Sequence, residues 1–364
     1  MEALPEFPSR GMWRFSSLLP IRSPESIVSL GEGDTPVLDV TGPTLSSLGR
    51  LGLKAEYQNP TGSFKDRIAA LATALIRQQG LRGAVGTSSG NGGAAIAAYG
   101  SRAGFPVVLF TTSGIVDGKL EQILAHGAVA HLVEKSEGSN ITSVAQTIVE
   151  VAEEAGWLAF LTGARYLPEA MRGAETIAFE LAEQHPDADV VYVPVGGGGL
   201  LGSIWRGYER LGTPAPRLVG AQPEGCPTLA RGLVGELGPL TAPVTTTISG
   251  LQVPVLFDYG AIDAVRASGG RVVEVSDQQA WRAQRILARE EGVFVEPAGA
   301  TAVAAALIDH ETGRVGPEER AIAILSGAGY KDPVSVQRMS EGNELRSVKD
   351  SQVAAAFDVV RNAS

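Results

Sequence analysis

The chain has 364 residues, enough for two domains and a sizeable core. Hydrophobic residues at 44% and charged residues at 19% mark a globular protein and exclude intrinsic disorder. Forty acidic against 30 basic residues, a formal charge of −10, argue against a nucleic-acid or anionic-membrane binder, and the lone Cys226 permits neither an intramolecular disulfide nor a thiolate metal cage.

Residues 1–22 mix Glu2, Pro5, Glu6 and Pro8 into their apolar residues and lack the basic-then-apolar layout of a signal peptide. The longest apolar runs, at 94–99 and 302–308, are far short of a membrane span, so a soluble cytoplasmic protein is expected. Glycine is in excess, 45 residues of 364 against a typical share of about 7%. It gathers at 83–93, 196–202 and 327–329, each beside an apolar run, where a turn between strand and helix can bring backbone N–H groups to a small anion. Short β-branched runs at 107–111, 128–133, 190–195, 218–221, 271–275 and 321–325 read as strands. Phe64, Ile68, Leu71 and Leu75 share one helical face, and helices are also expected at 173–183, 200–210, 278–291 and 352–361. This alternation predicts an α/β protein with a doubly wound parallel sheet.

Four segments carry candidate chemistry. In Asn59–Arg67 (NPTGSFKDR), Ser63 and Asp66 have the spacing of a capping box for a helix over 64–79, and Asp66 with Arg67 reads as a cap and surface pair. Lys65 then lies in the first turn, where the partial positive charge of the helix end lowers an amine's pKa and improves it as a nucleophile toward an aldehyde; a solvated lysine beside a cap fits the same residues. Thr87, Ser88, Ser89, Gly90, Asn91, Gly92 and Gly93 place hydroxyls and free amides at a helix start, a carboxylate or phosphate site or an ordinary polar turn. Gly196, Gly197, Gly198 and Gly199 follow a strand and expose amides to a ligand such as phosphate, while Gly197, Gly199 and Gly202 also satisfy a dinucleotide-binding spacing, with Glu224 as a ribose partner. Ser326 ends the last strand, on the side where open sheets bind ligands. The four histidines read as structural or surface residues, with no metal constellation.

In this order the four segments resemble the fold-type II (tryptophan-synthase β-like) pyridoxal-phosphate enzymes, and the threonine synthase branch most closely. Gly31-Glu32-Gly33-Asp34-Thr35-Pro36, Gly118-Lys119-Leu120, Thr176–Glu180 and Glu290–Ala298 add to the likeness, which covers about residues 28–335. The resemblance implies two doubly wound α/β subdomains with pyridoxal 5′-phosphate in the cleft between them: a large one of residues 1–61 and 161–364 and a small one of residues 62–160. It implies that Lys65 is catalytic and holds the cofactor as a Schiff base, that Gly196–Gly199 and Leu200 cradle its phosphate, that Asn91 meets the pyridine 3′-oxygen and that Ser326 meets the ring nitrogen. The resemblance also implies that Thr87, Ser88, Ser89, Asn91 and Gly92 face the substrate carboxylate, and it leaves Lys119 as the candidate substrate-phosphate ligand. The implied activity is elimination or replacement at Cβ or Cγ of an amino acid, by a cytoplasmic homodimer. Three features differ from the threonine synthase pattern, one of them the stretch Ser249-Gly250-Leu251-Gln252-Val253-Pro254-Val255. The four-glycine loop is more like that of threonine and serine dehydratases, and Ala170 stands where the branch places an arginine, with Arg165 and Arg172 nearby. The alternatives are therefore a dehydratase-like β-elimination giving a 2-oxo acid, or a β-replacement on an activated serine. Tyr330, Arg165 and Arg172 fit either a substrate contact or a structural role, and Glu296, before Pro297, ends a strand near the ring or carries no assigned role.

Overall fold

The computed structural model describes residues 7–88, 90–111, 117–134, 141–235, 244–342, 345 and 347–353. Ten strands are found among them: β1 Val37–Asp39, β2 Arg50–Lys54, β3 Ala84–Gly86, β4 Val107–Thr111, β5 Val129–Leu132, β6 Leu158–Phe160, β7 Val190–Pro194, β8 Arg217–Pro223, β9 Arg271–Val275 and β10 Arg320–Ile324. They form a six-stranded sheet in the order β1-β2-β10-β7-β8-β9 and a four-stranded sheet in the order β5-β4-β3-β6. All pairs are parallel except β1 with β2. These are the two α/β subdomains expected from the sequence.

Side chains alternate across a strand, and β7 shows what each face buries. Val190 and Tyr192 pack with Ala280, Ala283, Leu287 and Ala300–Leu307, from the Asp277–Glu290 and Pro297–Glu311 helices. Val191 and Val193 pack on the other face with the Lys65–Gln79, Pro168–Gln184, Gly199–Leu211 and Gly260–Ala267 helices. That second core continues into the small sheet, through Ala84, Leu109 and Phe160 and the Asn91–Ala103 helix. The far side of the small sheet is closed by Ala145, Ile148 and Ala152 of the Ile141–Ala155 helix against Val85 and Leu161. Each sheet is thus covered on both faces, and one continuous core joins them.

Both sheets have a point where the strand order reverses. From β7 the chain moves outward to β8 and β9, then returns to β10 on the opposite side of β7. From β3 it moves outward to β4 and β5, then returns to β6 on the opposite side of β3. Segments leaving neighbouring strands in opposite directions open a crevice at their carboxyl ends, where ligands bind in such sheets. Just beyond the carboxyl ends of β7, β10, β3 and β6 lie Gly196–Gly199, Ser326, Thr87 and Ser88, and Thr162.

The start of the Lys65–Gln79 helix differs from expectation. No side chain caps it: Ser63 Oγ is buried without a partner among the described residues, while the Asp66 carboxylate reaches back to Thr61, accepting from its Oγ1 at 2.9 Å and its N at 3.2 Å. The backbone is held instead by Ser326–Gly327, with Phe64 N donating to Ser326 O at 3.1 Å and Ser63 bridging to Gly327. Asp66 and Arg67 are both fully buried, so they are not a surface pair. Arg67 donates through Nε and Nη2 to Glu56 and through Nη1 and Nη2 to Glu180, at 2.7–2.8 Å, and Lys54 Nζ donates to Glu180 at 2.6 Å. Two buried cations thus face two buried carboxylates, and Arg67 and Lys54 hold the Glu180 carboxyl well below its usual range despite burial. Glu180→Gln strands both cations in part and is expected to lower unfolding free energy by about 3–5 kcal/mol in denaturant titration; a loss under about 1 kcal/mol would show that the cluster is dispensable.

Candidate active site

Lys65 opens its helix beside Phe64, whose ring centroid lies 4.8 Å from Nζ. Its amine donates to the neutral hydroxyl of Thr162, Oγ1, at 3.0 Å. Burial lowers its pKa from 10.5 to about 8, the direction expected from the sequence, with loss of water around the ammonium as the cause. The residue as a whole is only partly covered.

Thr162 carries no signal in the sequence, because an isolated threonine in a loop belongs to no motif. It lies two residues beyond the end of β6 at the switch point, and its side chain and carbonyl neighbour both glycine-rich segments: a Cβ on Gly92 would lie 3.4 Å from Thr162 Cγ2, and one on Gly199 would lie 3.5 Å from Thr162 O. Lys65, the 87–93 segment and the 196–199 segment therefore converge on this residue.

The Asn91–Ala103 helix is preceded by Gly90 at φ −111° and ψ −145° and has no side-chain cap. Ser88 Oγ accepts from Gly93 N at 3.0 Å, while Thr87 and Ser88 stay partly exposed and Gly92 is buried. Ser89 lies outside the described residues. Asn91 Nδ2 donates to Glu296 Oε1 at 2.7 Å, and Asn91 Oδ1 is buried without a partner among the described residues.

The glycine loop leads straight into the Gly199–Leu211 helix, with Leu200 in its first turn. Gly198 is left-handed at φ +89°, and a Cβ there would sit 2.7 Å from Asp258 O, so no other residue fits without rearrangement. Gly197 O accepts from Phe257 N and Asp258 N at 2.9 and 3.0 Å, which seats the loop on the 257–258 segment. A left-handed glycine at a helix start, with the loop amides free of side chains, could hold a phosphate. Arg206 caps its outer side through an ion pair to Asp258 at 2.8 Å.

Ser326, Gly327 and Ala328 join the two halves. Ser326 is buried after β10 and takes Phe64 N; Gly327 O takes Glu296 N at 3.0 Å; Ala328 bridges to Val295. Glu296 precedes Pro297 at the N-cap of its helix, fully covered, and pairs with Lys119 Nζ at 3.0 Å. Lys119 also donates to Ser249 Oγ at 3.0 Å. Of the arginines near the missing position, Arg172 donates to Leu18 O, Arg165 stacks over Tyr166, and Ala170 itself is buried. Tyr330 is 57% exposed, with its hydroxyl over Gly62 at the edge of the site.

The residues present fit a cofactor with an aldehyde and a phosphate: a depressed lysine amine, a glycine cradle that shares Thr162 with it, and an unpartnered buried amide oxygen nearby. A family model described as "Pyridoxal-phosphate dependent enzyme" matches residues 28–327. The chain belongs to that family. It is 33% identical to the threonine synthase of Bacillus sp. (strain ULM1), over 93% of this chain and 96% of that one. It is likewise 33% identical to the threonine synthase of Methanocaldococcus jannaschii, over 91% and 83%. Among solved structures it is similar to a T.th. threonine deaminase, with 28% identity, a TM-score of 0.67, and 86% and 94% of the two chains covered. The protein is a pyridoxal-phosphate-dependent enzyme of the fold-type II class, threonine synthase-like, and the dinucleotide reading of Gly197, Gly199 and Gly202 is set aside.

Titrating acetic anhydride labelling of Lys65 in cofactor-free protein by mass spectrometry should give a midpoint near 8. A midpoint in the range of free lysines, about 10.4, would mean that the amine is hydrated.

Proposed function

We propose that this enzyme converts O-phosphohomoserine and water to threonine and phosphate, with Lys65 as the catalytic base. The observation that carries this is that the depressed Lys65 amine and the glycine loop both neighbour Thr162, in a chain that matches threonine synthases along nearly its whole length. In this reading residues 62–160 form the substrate-side domain, and residues 1–61 and 161–364 the cofactor domain. We also place the enzyme in the cytoplasm as a homodimer; among the described residues no helix is long and apolar enough to cross a membrane.

When bound through Lys65, pyridoxal phosphate supplies an electron sink for the bond electrons released at Cα. The amides of Gly196–Gly199 and Leu200 hold its phosphate, Asn91 faces its ring oxygen, and Ser326 offers the ring nitrogen a neutral hydroxyl. A hydroxyl cannot keep that nitrogen protonated as a carboxylate would, which favours elimination and replacement over transamination. Thr87, Ser88, Ser89, Asn91 and the amide of Gly92 receive the substrate carboxylate. Once displaced by the substrate amine, Lys65 Nζ takes the Cα proton, and its contact with Thr162 Oγ1 keeps it at that position. A Cβ proton would then be lost, the Cγ–O bond would break with departure of phosphate, a proton would add at Cγ and the hydroxyl of water at Cβ, and Cα would regain its proton from Lys65, the proton left by water going to phosphate.

A second reading rests on the cations. Lys119 is engaged by Glu296 and Ser249, Arg172 by Leu18 O, and Arg165 lies on Tyr166, so a substrate phosphate must compete for Lys119. A substrate without a distal anion, threonine or serine, needs no such exchange and would undergo β-elimination to a 2-oxo acid and ammonia; replacement on an activated serine uses the same first half.

Assays of O-phosphohomoserine, threonine, serine and O-acylserines, reading phosphate and 2-oxo acid, decide among these. Phosphate release with threonine formation is the expected result; 2-oxo acid alone assigns the dehydratase reading. Lys65→Ala is expected to lower turnover by at least about 10³-fold while remaining folded, and retained turnover removes the base assignment. Thr162→Val should reduce kcat more than KM.

A further inference from the structure

Thr61, just ahead of the lysine helix, is held between a buried carboxyl and a buried ammonium. Its N and Oγ1 donate to the Asp66 carboxylate, at 3.2 and 2.9 Å, and its O accepts from Lys331 Nζ at 2.6 Å. All three residues are buried. Thr61 leads into Gly62, left-handed at φ +86°, and so into the turn that delivers Lys65. The charged groups facing Lys331 are Glu296, Asp66 and Lys119, and loss of water lowers its pKa to about 8 against the pull of the two carboxylates.

Lys331 has a second acceptor on another element. It donates to Gln122 Oε1 at 2.6 Å, on the Asp117–Ala125 helix. Lys119 and Gln122 are three residues apart on that helix and share a face. The buried Lys119 Nζ donates to Ser249 Oγ at 3.0 Å, and the next residue lies against the glycine loop, where a Cβ on Gly196 would meet Gly250 O at 3.0 Å. One ammonium therefore touches both the loop that carries the reactive amine and the helix that carries a buried cation. Bonds from a charged donor are short and strong, so Lys331 acts as a spacer of fixed length between them.

We propose that Lys331 is a positioning residue that sets the span between the Lys65 amine and the Lys119 ammonium, and so selects amino acids by the distance from Cα to a distal anion. This deepens the reading in which Lys65 takes the Cα proton and Lys119 meets the substrate's phosphate, and rests on it.

The test compares holoenzyme variants on three amino acids: O-phosphohomoserine, O-phosphoserine, whose phosphate is one carbon nearer to Cα, and serine, which has no distal anion and is followed as a substrate or a competing inhibitor. Gln122→Leu frees the helix from Lys331 but leaves the clamp on Thr61. It should raise KM for O-phosphohomoserine about tenfold with kcat nearly unchanged, lower the preference over O-phosphoserine, and leave serine as it was. Gln122→Glu still accepts from Lys331 and should restore KM. Lys331→Met releases both ends, so kcat for O-phosphohomoserine should fall as well. In cofactor-free Lys331→Met the acetic anhydride labelling midpoint of Lys65 should rise from about 8 by about half a pH unit or more, whereas Gln122→Leu leaves it in place. If Lys331→Met does not fold, the two Gln122 variants decide. An unchanged KM in Gln122→Leu, or equal changes for all three amino acids, as general loosening would give, overturns the proposal; so does an unmoved Lys65 midpoint in folded Lys331→Met. A wild type that releases phosphate from O-phosphohomoserine without preferring it to O-phosphoserine overturns the proposal alone. A wild type that releases none removes the substrate reading on which the proposal rests.

Discussion

The position of the reactive amine is set from behind, by a charge cluster that never meets the substrate. Lys65 and Arg67 are two residues apart on one helix, so their side chains leave on nearly opposite sides. Lys65 faces the cleft, and the Arg67 fork grips Glu56 and Glu180 in the interior. Burying four charges is expensive, and the geometry here answers that cost with hydrogen bonds at nearly every polar atom, including Thr176 Oγ1, Thr35 Oγ1, Asn59 Nδ2 and Gln184 Oε1. The same cluster orders the chain's beginning. Asp34 N donates to Glu180, and the Asp34 carboxylate receives Gly11 N and Arg14 Nε; Glu32 takes Trp13 and Tyr99. The Gly31–Pro36 motif is thus a strap over the back of the lysine helix.

The front of that helix is set by Ser326–Ala328. This short segment is paired with Ser63 on one side and Val295 on the other. Three functions that are far apart in sequence, the lysine, the Ser326 hydroxyl and Glu296, are brought together by backbone hydrogen bonds rather than by side-chain complementarity. The strand order makes it possible, because β10 is neighbour to both β2 and β7 and its end reaches the centre of the crevice.

Much of this was legible in the sequence, and the failures have physical reasons. β4 and β9 have the expected bounds, and the others recognised differ by a few residues at their ends, as sharp β-branched runs should. β3 and β6 are three residues each, too short for a period, and β2 reads Arg-Leu-Gly-Leu-Lys, with charges at both ends. The Pro297–Glu311 helix is apolar all round and so lacks a polar face to reveal its period; it is buried almost throughout. The expected helix at 352–361 lies largely outside the described residues. In the site, glycine and lysine motifs were readable because backbone exposure needs particular residue types. Arg67, Asp66 and Glu296 were not, because a charged residue in a sequence is by default a surface residue and only three-dimensional pairing shows otherwise. A signal did exist for Arg67: Glu56 lies eleven residues before it and Glu180 on an apolar helical pattern, where an acid among Ile177, Ala178 and Leu181 needs a cation.

Two lysines in this region have pKa values lowered to about 8, yet only one is suited to covalent chemistry. Lys331 is fully buried and donates to Thr61 O and Gln122 Oε1, both at 2.6 Å, so its ammonium acts as a strut between the lysine loop and the Asp117–Ala125 helix. Two strong acceptors reward the charged form, and full burial keeps a carbonyl compound from its lone pair. Lys65 has one hydroxyl acceptor, which serves a neutral amine as well as a charged one, and the residue as a whole is only partly covered. Depressed basicity alone therefore does not identify a nucleophile. What separates the two is whether the neighbours leave the nitrogen's lone pair free, and here the surrounding charges are paired with one another, Lys119 with Glu296 and Arg206 with Asp258, leaving neutral groups next to the amine that must react.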